Sequence, residues 1–260
     1  MLEYSSHGLV QGRTHYTWPS VSAITNTSME HLDYHGSLEQ YRMDKGKLFD
    51  MLRERGTKVL NADDSSYDLY RTIPSEETIT YSMHSAQAAL WLSDIYVHPS
   101  SSSALLHVSE NDVTCNLEIN IPGAYNLENA LCAISCAKSV GVPLDNCTEA
   151  LKSFSGTPGR MERIDEGQPF SVYVDFTVTP AAYQKTLTTL RQMIGAGKRI
   201  LVLTGSCGDR MREKRPEVGR ICSELADVVI VTNEDPYTED PQRIIEDVWR
   251  GIDQEKCDAQ

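Results

Sequence analysis

The sequence predicts an α/β protein in two parts, and three observations set that class. After about residue 158, short apolar strands alternate with helical segments, the pattern of a parallel, Rossmann-like sheet. Between about Thr78 and Ile121, residues of opposite character alternate with few helix formers, as in an antiparallel meander. Between these regions, Ser155-Gly-Thr-Pro-Gly-Arg-Met-Glu is dense in chain breakers and marks a boundary. The expected domains are therefore residues 1–157 and 158–260.

The elements follow in order. Val21 to Asn26 reads as a short buried strand. A helix is expected from Ser37, its N-cap, to Arg55, with Gly56 as stop. Lys58 to Asn61 reads as a second strand, and Asp63 or Asp64 as the cap of a helix carrying Tyr67 and Tyr70. The meander is interrupted by the turn Ser100–Ser103. Helices are expected over Leu127–Val140 and Asp145–Phe154. The second part should run Val172–Phe176, Pro180–Ile194, Arg199–Thr204, Pro216–Leu225, Val228–Thr232 and Pro241–Gly251, strand and helix in turn. Three strands make a small sheet of this kind, so a continuation downstream is expected. The dense polar start of the chain leads to the same expectation upstream.

Charge excludes some function classes. Net charge is −13, with Lys and Arg scattered, whereas sequence-independent nucleic-acid binding needs a basic face. No apolar run reaches the ~18–20 residues of a membrane span, and no leader pattern opens the chain. Hydrophobic residues make up 40% of the 260, enough for a packed core. Seven cysteines without a C-x-x-C pair fit buried free thiols in a reducing compartment, so a cytoplasmic protein without membrane or nucleic-acid partners is expected. Oligomeric state is not legible.

Ionisable groups crowd the first fifty residues. Leu38, Tyr41, Leu48 and Leu52 form a helical stripe into which Lys45 falls. Lys45 either snorkels outward on its own stem or faces a site. Burial would lower its pKa, and the neutral amine could take up CO2 as a carbamate, an anion able to bind a metal. Glu3, His31 and His35 are candidate metal or phosphate partners, against a structural reading for each alone. In the second part Asp175 ends a strand before a Pro-initiated helix, where it either bonds ribose hydroxyls or caps the helix. Gly205-Ser-Cys-Gly-Asp-Arg is a weak glycine-rich loop. Arg212, Lys214 and Arg215 read as a solvated helix start.

Three segments carry a resemblance: Glu3-Tyr-Ser-Ser-His-Gly-Leu-Val-Gln-Gly-Arg13, Thr25-Asn-Thr-Ser-Met-Glu-His-Leu-Asp-Tyr-His-Gly36, and Tyr41 with Lys45. It continues through Val59-Leu-Asn-Ala-Asp-Asp64, Gly123-Ala-Tyr-Asn-Leu-Glu-Asn-Ala-Leu131, Pro158-Gly-Arg-Met-Glu162 and Gly205-Ser-Cys-Gly-Asp-Arg210. The chain thus resembles the Mur ligases over nearly its whole length, in particular those that add the third amino acid to UDP-N-acetylmuramoyl-dipeptide in peptidoglycan synthesis. The resemblance implies the remainder of a central ATP-binding domain followed by a Rossmann-like C-terminal domain. It implies ATP and Mg2+ as cofactors, the UDP-sugar dipeptide and an amino acid as substrates, and amide formation through an acyl phosphate. By the same resemblance Lys45 is the carbamylated lysine, with Glu3 and His31 as magnesium ligands. Ser5, Gln11 and Arg13 are UDP-sugar contacts, Asn129 an adenine contact, Arg160 a residue near the ATP phosphates, and Arg210 a contact to the amino-acid site.

The chain departs from the family in three places. Relatives read Asp-Tyr-Ala-His-Thr-Pro-Asp where this chain has Val178 and Ala181. In those that add meso-diaminopimelate the amino-acid-selecting loop reads Asp-Asn-Pro-Arg, whereas here Glu234, Asp235 and Tyr237 occupy it. A phenol cannot grip a carboxylate as an arginine fork does, so a distal ammonium, as in lysine or ornithine, is the expected substrate feature. No Gly-Lys-Thr phosphate loop occurs among the 260 residues. Relatives carry it upstream of the matching region, and this polypeptide alone is expected to be a poor or inactive ligase. A non-catalytic Mur-derived binding protein stays open as an alternative, as does another ligase of the superfamily such as a folylpolyglutamate or cyanophycin synthetase.

Overall fold

The computed structural model describes residues 1–28, 30–195 and 197–260. The chain divides into two compact units, Met1–Ser155 and Gly156–Gln260.

The first unit is built on a six-stranded sheet. Strands β1 (Val21–Ile24), β2 (Thr57–Asn61), β3 (Glu77–Ser82) and β4 (Leu90–Val97) lie side by side in parallel; β5 (Ser102–Val108) and β6 (Val113–Ile119) continue the sheet antiparallel. The expected meander is therefore corrected at its first strand. The seven residues between β3 and β4 loop back far enough for parallel pairing, and only β4 to β6 form hairpins. β2 is buried at all five positions, as a strand covered on both faces should be.

Helix α1 (Ser6–Val10), which the sequence reading did not anticipate, packs on α3 (Leu38–Asp50), with the single turn α2 (Leu32–His35) between them in the chain. α4 (Tyr67–Arg71) follows β2, and α5 (Ala124–Ser139) lies across the sheet, with α6 (Leu144–Ser153) against β6. The main core joins sheet and α5 through Val59, Tyr81, Leu106, Leu117, Leu127 and Leu131. Ile24, Phe49, Leu60 and Tyr70 form a second cluster under α3 and α4.

Two helix boundaries are corrected. Ser37 caps α3 as expected, its Oγ accepting from the Gln40 amide at 3.1 Å. The helix stops at Asp50 and not Arg55, because the next donors are taken elsewhere. The Arg53 amide donates to Pro19 O at 3.1 Å and the Thr57 amide to Ser20 O at 2.8 Å, which begins the β1–β2 ladder. Neither Asp63 nor Asp64 is the cap of α4; Ser66 stands at that position, and its hydroxyl donates to Asp64 and does not cap the helix. Asp63 instead accepts from Ser82 Oγ and the Met83 amide, both at 2.6 Å.

The second unit opens with the hairpin β7 (Glu162–Ile164) and β8 (Val172–Val174). A parallel sheet of order β11–β10–β9 follows, made of β9 (Leu201–Thr204), β10 (Val228–Val231) and β11 (Asp258–Ala259). Its helices are α7 (Pro180–Ile194), α8 (Lys214–Leu225) and α9 (Pro241–Trp249). The strand expected from Val172 thus pairs antiparallel with β7, not within the parallel sheet. The third parallel strand is β11, two residues too short to show as a pattern. Thr179 and Asp240 cap α7 and α9 with a proline in the first turn, the N-terminal signature the sequence carried. Leu187, Ile221, Cys222 and Val229 centre the core.

Candidate functional site

In the first unit, α1, α2 and α3 gather most of the predicted polar residues. Lys45 is half-buried on α3, its Nζ 5.4 Å from the centroid of the Tyr41 ring. Burial pulls its pKa below that of an ordinary lysine, while the charges of Glu30 and Glu3 oppose the shift. His31 stands just ahead of α2 with φ +55°, its Nε2 3.6 Å from a Glu30 carboxylate oxygen. Its ring centroid is 4.8 Å from that of His7, which itself lies 4.0 Å from the Tyr34 ring. Burial, then the neighbouring His31, pulls the His7 pKa down. Lys45 is thereby within electrostatic reach of Glu30 and Glu3, and Glu30 also stands beside His31.

The donor set bears on a metal. Magnesium takes one or two carboxylates and keeps several waters. Glu3 and Glu30 beside Lys45 fit that requirement in kind. Among the described residues, however, no three His, Cys, Asp or Glu side chains converge as a metal cage. His35, one of the expected partners, is corrected to a structural role. It is buried, with Nδ1 2.8 Å from Asp44 Oδ2 and Nε2 3.0 Å from Ser6 Oγ, so both ring nitrogens are engaged. Asp44 and Ser6 were missed because each is an ordinary polar residue in its own segment; only the packing of α1 on α3 joins them.

Ser5 caps α1, its Oγ accepting from the Gly8 amide at 3.0 Å. Gln11 reaches the Tyr34 hydroxyl at 3.5 Å, and Arg13 is exposed, with its guanidinium beside Gly8. These three flank one short helix, Ser5 just before it and Gln11 and Arg13 just after.

The carboxyl ends of β1, β2 and β3 form a second polar group, where α/β sheets bind ligands. Asn61 Nδ2 donates to Thr25 O at 2.9 Å and to Glu128 Oε1 at 2.7 Å. Asp64 accepts from the Thr27 amide at 3.2 Å, and Arg42 Nε donates to Thr27 Oγ1 at 3.0 Å. Burial raises the Asp64 pKa, but hydrogen bonds from Ser66 and Thr27 outweigh it and leave the carboxyl below its usual range. Asn129 lies on α5 next to Glu128 and is exposed, 3.3 Å from Asn126 Oδ1. Asn61, Glu128 and Arg42 went unnoticed in sequence; Asn at a strand end followed by two Asp was the signal available.

In the second unit Asp175 directly follows β8. One carboxylate oxygen accepts from the Met161 amide at 2.8 Å and the other from Thr177 Oγ1. It thus fastens the 159–161 turn and is not a helix cap. Arg160 donates to Phe176 O at 3.1 Å and lies over the exposed Phe176 ring at 5.1 Å. Arg210 is exposed with its guanidinium 5.5 Å from the centroid of Tyr237, and Glu234, Asp235 and Tyr237 are exposed on the facing loop. Beside that loop a cavity of about 500 Å³ is lined by Arg212, Thr238, Asp240, Arg243, Glu246 and Arg250. The expected solvated helix start is corrected at Arg215, which is fully buried against Glu239 and Asp247.

Known proteins match both units. Residues 1–137 match the Mur ligase middle domain and residues 159–258 the Mur ligase glutamate ligase domain. The 2,6-diaminopimelate-adding UDP-N-acetylmuramoyl-L-alanyl-D-glutamate ligase of Trichormus variabilis is 37% identical over 255 residues, covering 97% of this chain and 51% of that protein. The UDP-N-acetylmuramyl-tripeptide synthetase of Roseiflexus sp. is 37% identical over 245 residues, covering 90% and 47%. A solved structure of a UDP-N-acetylmuramoyl-L-alanyl-D-glutamate–2,6-diaminopimelate ligase superposes with TM-score 0.65 at 31% identity, covering 99% of this chain and 53% of that one. MurF from Acinetobacter baumannii, at 19% identity and TM-score 0.75, shares the fold. The chain spans about half the length of the curated relatives it matches. With one family model covering more than half of the residues and a second covering the other unit, the chain belongs to the Mur ligase family.

Proposed function

We propose that this chain carries part of an ATP-dependent acid–amino-acid ligase that adds the third amino acid to UDP-N-acetylmuramoyl-L-Ala-D-Glu in peptidoglycan synthesis. Lys45 within electrostatic reach of Glu30 and Glu3, on a helix packed against the short helix that Ser5 caps, is the observation that carries the reading. ATP with Mg2+ would supply the activated phosphoryl group for the substrate carboxylate. The residues present would hold and orient the partners. Glu3, Glu30 and a Lys45 carbamate would offer oxygen donors to the metal, and Arg13 a cation to the UDP-sugar. Asn129 would meet adenine, Arg160 the phosphates, and Asp175 would hold the turn that presents Arg160.

The reading is tested by titrating UDP-N-acetylmuramoyl-L-Ala-D-Glu against the chain by calorimetry. Arg13→Ala should weaken binding about tenfold or more, equivalent to ~1.4 kcal/mol. Binding that is absent from the parent, or indifferent to position 13, would sink it. Because the sequence holds no Gly-Lys-Thr loop, we further propose that the 260-residue chain alone does not turn over ATP. ADP release that depends on both substrates would overturn this.

For the third amino acid we propose a distal ammonium, as in lysine or ornithine, because Glu234 and Asp235 are exposed on the same loop as Tyr237. The ammonium would find carboxylates there, and a distal carboxylate would meet them as like charge. Preference for meso-diaminopimelate over lysine in competition for the second unit would exclude it. The expected surroundings are the bacterial cytoplasm; no helix of the described residues is long and apolar enough to cross a membrane.

A further inference from the structure

Arg215 is the largest fully buried side chain among the described residues. Four of its N–H groups have acceptors. Nη1 donates to Glu239 Oε2 at 3.0 Å and Asp247 Oδ2 at 2.9 Å; Nη2 donates to Glu239 Oε1 at 2.8 Å and Cys207 O at 3.1 Å. Nε has none among the described residues. The bond to Glu239 is a fork-to-fork pair, the geometry that fixes orientation as well as charge. Glu239 is drawn tighter still by the Asp209 amide at 2.7 Å and Arg212 Nη2 at 3.1 Å, and hydrogen bonding to Arg215 holds its pKa down at about 2.

The position of these acceptors is informative. A buried ion pair is a poor source of stability, since apolar residues of like volume do as well or better. Here the acceptors sit mainly on two loops. Cys207 belongs to the 205–210 loop between β9 and α8, and Glu239 to the 232–240 loop between β10 and α9. The loops are also joined directly. The Gly208 amide donates to Asp235 O at 2.8 Å, and the Thr238 amide and hydroxyl both donate to Asp209. A Cβ at Gly208 would run into the Pro236 carbonyl, so the two backbones touch where a side chain cannot fit.

Each loop holds one non-glycine residue in the left-handed region, Asp209 at φ +50° and Tyr237 at φ +48°. Such residues persist only where their surroundings over-determine them, and they concentrate at ligand clamps. The side chains that result from this conformation are the neighbouring pair Arg210 and Tyr237.

We propose that the Arg215–Glu239 pair is a positioning device that locks the 205–210 and 232–240 loops into one surface and so presents Arg210 and Tyr237 to the incoming amino acid. The locking stands on this geometry alone; the amino-acid part rests on the function proposed above.

Amide hydrogen exchange on the full chain separates the two. In Glu239→Gln the Gly208 and Thr238 amides, neither of which bonds to Glu239, should lose protection by about tenfold or more, while Val202 and Ile230 in the β9–β10 ladder keep theirs. Asp247→Asn alters another charged partner of the same arginine, but one on a helix, and should change the two loop amides by less than about threefold. Unchanged loop amides in Glu239→Gln, or an equal loss in Asp247→Asn, would overturn the lock. Should Glu239→Gln unfold the unit, Glu239→Asp, which keeps the charge and shortens the reach, is read at the same two amides. In a second arm, L-lysine and meso-diaminopimelate are titrated at millimolar concentration while the Arg210 and Tyr237 resonances are followed. At least one should shift them in the parent, with affinity weakened about tenfold in Glu239→Gln. No shift with either in the parent would overturn the amino-acid reading, leaving the exchange result to decide the lock.

Discussion

At the scale of single residues, the first unit turns on groups whose surroundings set their protonation or fix their partners. His35 bridges Ser6 and Asp44 with no exposed ring nitrogen, so truncating it leaves a buried carboxylate and hydroxyl without their partner. His35→Ala should cost about 2 kcal/mol of stability, read as a shift of the urea midpoint with unchanged slope. A change within about 0.5 kcal/mol would show that the bridge contributes nothing net. Lys45 is the opposite case: it is half-buried, and desolvation keeps its pKa low against the pull of Glu30 and Glu3. With 13C-labelled bicarbonate, a carbamate resonance should appear in the parent and vanish in Lys45→Arg. A parent spectrum without that resonance would remove the anion from the proposed metal set. Lys58 shows what a buried lysine looks like when its role is structural. Its Nζ donates to the carbonyls of Tyr70, Arg71 and Ile73, at the end of α4, where a cation belongs.

At the scale of elements, close backbone contacts decide signs that propensity alone would reverse. Gly219 lies inside α8, where alanine is favoured by about 1 kcal/mol. A Cβ there would strike the Val248 carbonyl of α9, so the helices must separate. Gly219→Ala should therefore destabilise the second unit by about 2 kcal/mol in urea unfolding; a stabilised variant would refute the contact. The loops beyond β9 and β10 have a pH dependence of their own. Glu239 is held at about 2 in the fold, against an unfolded glutamate near 4.3. The unfolded chain therefore takes up the proton first as pH falls. The contribution of Glu239 is fully present above about pH 4.5 and is lost between there and about pH 2. Urea midpoints of the parent and Glu239→Gln should differ at pH 6 and converge as pH falls through that window. A gap that stays constant to pH 2.5 would contradict it.

At the scale of the molecule, two units with separate cores meet in sequence at an exposed stretch. Lys152 to Ser155 is exposed, and Thr157 to Arg160 belongs to no named strand or helix. Limited trypsin digestion should cut first after Lys152 or Arg160 and leave two fragments that each keep cooperative unfolding. Early cuts within β1 to β6 would contradict the division. Most of the architecture was legible beforehand, because period and punctuation act locally. The Ser37 cap and the strand–helix alternation of the second unit follow from residues within a few positions of one another. The misreadings share one cause. β3 was assigned to a meander, β8 to the parallel sheet, and β11 was missed, since which strand pairs with which is settled by distant partners and not by local pattern.

The same division holds for the site. The sequence by itself determined the family, the residue types of the expected site and the departure at Tyr237, because those are properties of order and spacing. Only the tertiary structure decided that His35 is spoken for by Ser6 and Asp44, that Asp175 fastens a turn, and that Arg215 is buried where a solvated arginine was expected. A side chain's protonation, partners and exposure depend on groups that the chain brings close from elsewhere, and desolvation acts only once they have arrived.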